Sequence, residues 1–94
     1  MELVEKRKTS HLLFTIWDSK AQAYAQPFCQ TTNGLALRFL ESLVNDPQTS
    51  LHKYPEDYTL FRIGRWDERN GSIEMDKAPV AIAKAQEYKK EAVQ

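Results

Sequence analysis

Tyr58-Thr-Leu-Phe-Arg-Ile-Gly-Arg-Trp66 is a run of aromatic and branched side chains broken by two arginines and a glycine, the composition of a β-strand. Side chains of a strand alternate between faces, so Thr59, Phe61, Ile63 and Arg65 read to one side and Tyr58, Leu60, Arg62, Gly64 and Trp66 to the other. Both sides are substantially apolar. A strand with one solvated face alternates apolar with polar, so the sheet holding this one presents both faces to something other than water. Leu12 to Trp17 shows the same doubling, with Leu12, Phe14 and Ile16 on one side and Leu13, Thr15 and Trp17 on the other.

Working outward, Leu12–Trp17 ends at Asp18-Ser19-Lys20, whose short polar residues suit a turn. Ala23 to Gln30 reads as the hairpin partner, with Tyr24 and Phe28 on one face and Pro27 placing it at a sheet edge. Thr31-Thr32-Asn33-Gly34 is a helix start, because Thr and Asn oxygens accept from the free amides of a first turn. Ala36, Phe39, Leu40 and Leu43 then recur at helical spacing, and Asn45-Asp46-Pro47 stops the helix. A polar loop runs to about Asp57.

Beyond Trp66, Asn70-Gly71 is a strong turn signal, and Ile73 and Met75 return as a shorter strand. Asp76 to Pro79 resembles the entry to a last helix, with Asp as cap and Pro in the first turn, and Ala81, Ile82, Ala85 and Tyr88 as its buried stripe. The order β-β-α-β-β-α predicts an α+β fold: a four-stranded, mainly antiparallel sheet with two helices on one face. Residues 11–90 form that single domain. Residues 1–10 are expected to form a flexible basic arm carrying Lys6-Arg7-Lys8.

Two short helices cover one face of such a sheet, which leaves an aromatic and apolar face for another occupant. Unpaired bases would stack on Trp17, Tyr58 or Trp66 while Arg62, with Lys20 or the Lys6-Arg7-Lys8 arm, meets phosphates. The alternative is the same face of a second copy, giving a homodimer.

Composition narrows the remaining classes. The chain has 94 residues and zero formal net charge, so it does not coat nucleic acid by charge alone. Cys29 is the sole cysteine, which excludes an intrachain disulfide and fits a reducing compartment. No apolar run approaches the ~20 residues of a membrane-spanning helix, and Met-Glu-Leu-Val-Glu-Lys-Arg-Lys lacks the apolar core of a signal peptide. The expectation is a soluble, unexported protein without membrane contact. His11 and His52 stand alone outside any metal-binding spacing and read as surface residues, Glu56-Asp57 and Asp67-Glu68 flank a strand, and Gly34, Gly64 and Gly71 are too scattered for a phosphate loop. No enzyme, metal or cofactor is expected.

Asp18-Ser-Lys-Ala-Gln-Ala-Tyr-Ala-Gln-Pro-Phe28, Ala36-Leu-Arg-Phe-Leu40, Val44-Asn-Asp-Pro47, Pro55-Glu-Asp-Tyr-Thr-Leu-Phe-Arg-Ile-Gly64, and Asn70-Gly71 followed by Ala78-Pro79 together resemble the small nonstructural protein of gokushovirus-type microviruses, phages with circular single-stranded DNA genomes. The resemblance spans roughly residues 12–88; the basic arm is longer than the family's usual start. It implies a nonstructural protein of the infected bacterium's cytoplasm that assists single-stranded DNA synthesis or packaging, with single-stranded DNA as partner. The alternative it leaves open is an adaptor for the viral replication initiator, a capsid precursor or a host factor. The family offers no catalytic motif to carry over.

Overall fold

The computed structural model describes residues 10–90. Strand β1 (Ser10–Asp18) lies inside an antiparallel five-stranded sheet. It is flanked on one side by β2 (Ala23–Tyr24) and β3 (Phe28–Gln30), and on the other by β4 (Tyr58–Asp67), which pairs with β5 (Ile73–Lys84). Helix α1 (Asn33–Val44), the short α2 (Ser50–Lys53) and a 3-10 turn at Pro55–Asp57 bridge β3 to β4, and a second 3-10 turn, Ala85–Tyr88, follows β5.

The fold is α+β, as the sequence predicts, but the element order differs in two places. The expected single hairpin partner, Ala23–Gln30, is broken in two. Trp17 faces Tyr24 in one register, while Leu12, Leu13 and Phe14 face Gln30, Cys29 and Phe28 in a register one residue out. Pro27 has no amide to give a ladder and falls in the break with Ala25 and Gln26. The gap is stitched by Ala25 N donating to Ile16 O at 2.8 Å and Thr15 Oγ1 donating to Ala25 O at 2.7 Å. Tyr24 and Phe28, expected on one face, therefore lie on opposite faces, and the sheet has five strands instead of four.

The second correction is the last helix, which does not form. Asp76–Lys84 continues β5 as an edge strand, and only Ala85–Tyr88 coils. The register with β4 jumps from Gly64↔Met75 to Arg62↔Val80, so Pro79 sits in a bulge where no ladder amide is required. Pairing of Phe61 with Ala81 and Leu60 with Ala83 then outweighs the helical preference of an alanine-rich segment. Ala85 is fully buried, and Ile82 and Tyr88 pack on the core, so most of the expected stripe reaches its destination on a different backbone.

The core is thin. Phe14, Ile16 and Leu60 from one sheet face meet Ala36, Leu40 and Val44, which recur every fourth residue along α1, together with Ala85. The helix begins where Thr32 Oγ1 accepts from Leu35 N at 3.1 Å. Its far end is tied to the last turn by Asn45, whose Nδ2 donates to Glu41 O and Tyr88 O at 2.9 Å each.

Candidate nucleic-acid interface

Residues directly opposite one another in an antiparallel ladder project to the same side, so the register writes out the face that α1 leaves uncovered. Four rows cross it, one of them Cys29, Leu13, Gly64 and Met75, and the other three carry aromatic rings. Of these three, Tyr24, Trp17, Thr59 and Lys84 form the first, Thr15, Phe61 and Ala81 the second, and His11, Trp66 and Ile73 the last.

The alternation of β4 fails at Ile63. Phe14 pairs with Arg62 and Leu13 with Gly64, so Ile63 is an extra residue without a partner on β1. Trp66, which regular alternation would group with Tyr58 and Arg62, is thereby re-aimed to the open face, where its ring lies 5.3 Å from that of His11. The expected grouping of Tyr58, Arg62 and Trp66 is corrected: Trp17 and Trp66 share the open face, and Tyr58 and Arg62 lie on the covered one. Tyr58 packs against the core with its hydroxyl 2.7 Å from Ser50 Oγ. Arg62 Nε donates to Asp76 Oδ2 at 3.0 Å. Lys20 is exposed in the turn that follows β1. Lys6, Arg7 and Lys8 lie outside the described residues.

Besides His11, two ring-bearing residues of this face, Tyr24 and Phe61, were not among the sequence candidates. Trp17 and Tyr24 have ring centroids 4.7 Å apart, and Tyr24 meets Phe61 edge-on at 5.9 Å, so three rings form one chain across β2, β1 and β4. Tyr24 is 49% exposed. Its place was hidden by the strand break, and that of Phe61 by the unknown pairing of β4 with β1. Beside this chain lies a shallow apolar cleft of about 280 Å³ lined by Tyr24, Pro27, Ile63, Met75 and Pro79.

Carboxylates are divided unevenly between the faces, and the arginines of β4, Arg62 and Arg65, stand with them on the covered one. Among strand-paired residues, Asp18, Asp67 and Glu74 all stand on the covered side, opposite Tyr58, Ser10 and Arg65. The paired positions of the open side carry Lys84 and His11 and no carboxylate. Glu68 in the β4–β5 turn reaches this side, with its Oε1 2.7 Å from His11 Nε2. His11 is therefore a rim residue with a partner, and His52 is half-buried in α2 with Nδ1 3.1 Å from Val44 O. Among the described residues, no cluster of His, Cys, Asp and Glu is assembled that could hold a metal ion. No described helix is long and apolar enough to cross a membrane.

A family model described as Phage ORF5 protein matches residues 11–88, which include every element of the sheet and both helices. A curated relative, Protein ORF5 of Chlamydia phage 1, is 31% identical over 80 residues, covering 80% of this chain and 83% of its own. No solved structure matches.

Proposed function

The chain belongs to the Phage ORF5 protein family, and from that premise we propose that it is a non-enzymatic phage protein that binds single-stranded DNA on the open sheet face and assists synthesis or packaging of the viral strand in the host cytoplasm. The observation that carries this reading is the Trp17–Tyr24–Phe61 ring chain on a face whose strand-paired positions hold Lys84 and no carboxylate. Aromatic rings accept any unpaired base by its π-face, and each base stacked contributes about 1–3 kcal/mol. Bases of a duplex are already stacked on each other, so the same face discriminates for the single strand. Lys84 closes the first row and Lys20 lies just beyond Trp17, positions from which ammonium groups meet phosphates.

The test is a titration of a fluorescent single-stranded oligonucleotide and its matched duplex at low and near-physiological salt. Single-strand binding that weakens with salt and falls on Trp17→Ala supports the reading; equal affinity for the duplex, or none for either, removes it.

A second reading, an adaptor for a viral or host protein, is favoured by the exposure of Ile73 and Met75, 57% and 59%, on the edge strand β5. In that case an interaction with viral replication or capsid proteins would persist at salt concentrations that abolish any contact with DNA.

A further inference from the structure

The open face carries aromatic groups at both ends of β1, and the bulge at Ile63 is what puts the second there. Resting on the single-strand reading above, we infer that the face holds two separate stacking stations, the Trp17–Tyr24–Phe61 chain and Trp66 beside His11, and that one DNA strand must run along β1 and β4 to engage both. His11 and Trp17 lie six residues apart on one strand, roughly 20 Å at about 3.4 Å per residue. Bases stacked at duplex spacing advance about 3.4 Å each, so six of them cover that span, and fewer suffice when the bases are splayed onto the protein.

Between the stations lies a low apolar saddle. Leu13, Gly64 and Met75 pair across it, and Gly64 adds no side chain to its height. A strand crossing it meets no paired carboxylate. The stations are unequal. Lys84 stands in the row of the first, while Glu68 stands at the second, so the first grips phosphate and base and the second adds stacking alone. Short oligonucleotides accordingly occupy the Trp17 end, and only longer ones reach Trp66.

The experiment is a length series of oligothymidylates, from three to twelve nucleotides, titrated against the full chain and against Trp66→Ala, Trp66→Phe and Glu68→Gln, with circular dichroism confirming the fold of each variant. For the unsubstituted protein, affinity rises between three nucleotides and about six and then levels, by about 5- to 100-fold if one base-stacking contact is gained. Trp66→Ala abolishes that gain and leaves the three-nucleotide affinity unchanged; Trp66→Phe, which keeps a ring, retains part of it. Glu68→Gln strengthens binding of the long oligonucleotides alone. The same length dependence in a folded Trp66→Ala protein, or equal weakening at every length, overturns the second station while leaving single-strand binding intact. Absence of binding at every length for the unsubstituted protein overturns the DNA reading itself, and the second station with it.

Discussion

At Gly64 an added Cβ would collide with the Glu74 carbonyl oxygen and lie 3.0 Å from Met75 Cα, because β5 closes on β4 here at the lip of its bulge. Backbone cannot swing aside as the tip of a side chain can. Gly64→Ala is therefore expected to cost about 1–3 kcal/mol by overpacking, read as a fall in melting temperature of about 4–8 °C per kcal/mol for a domain of this size. Arg62 and Trp17 make a contrasting pair. The Arg62 guanidinium is committed to Asp76 on the covered side, and both partners are about a quarter to a third exposed, at 31% and 26%. Arg62→Ala should leave oligonucleotide affinity unchanged and cost at most about 1 kcal/mol of stability, since partly solvated pairs contribute little. Trp17→Ala should weaken binding by about 5- to 100-fold while the domain stays folded, as measured by fluorescence titration beside a thermal melt. A loss of binding on Arg62→Ala would return that residue to the site where alternation alone had put it.

At the level of elements, α1 was legible because every local signal agreed: cap, period and stop all fell in one segment. Thr32 accepts from Leu35 N, the buried residues recur every fourth position, and Asn45 ends the helix before Pro47. Thr32→Ala should cost about 1 kcal/mol, and Leu40→Ala, which empties the centre of a thin core, about 2–5 kcal/mol; urea unfolding curves would check both. The β1 and β4 strands were legible too, as was the doubly apolar character of the sheet. Two elements were misread for one physical reason. Pro27 does lie at the sheet edge, as its missing amide predicts, but it also marks a register break that a single unbroken strand conceals; Pro79, which reads as a helix start, lies at a register break too. A break of one residue swaps every later side chain to the other face, which is why Tyr24 and Trp66 could not be placed from alternation. Ile63 bears no signal of its own, since a bulged isoleucine and a paired one look alike in a single sequence. The open face was foreseeable as a kind of surface, and its membership was not.

For the whole molecule, zero net charge conceals a division of carboxylates between the two sides of one sheet: Asp18, Asp67 and Glu74 lie on the covered side with Arg62 and Arg65, and Lys84 lies on the open side. That division sets how binding should respond to salt. For single strands, log Kobs falls with log salt concentration by about 0.7 per neutralised phosphate, so Lys20 and Lys84 acting alone give a slope of about −1.4. An arm in which Lys6, Arg7 and Lys8 also meet phosphates adds up to about −2.1 more. Substituting those three with alanine reads the difference directly: an unchanged shallow slope confines the phosphate contacts to the sheet, and a slope that drops by about 2 brings the arm onto the strand. Oligomeric mass belongs in the same measurement. A homodimer formed through the β5 edge leaves the three aromatic rows free, so mass and DNA binding would vary independently. A homodimer closed over the rows buries Trp17 and Trp66 against a second copy, and oligonucleotide would then have to split it. Light scattering across the titration distinguishes the two, with a dimer that dissociates as DNA is added assigning self-association to the same surface that stacks the bases.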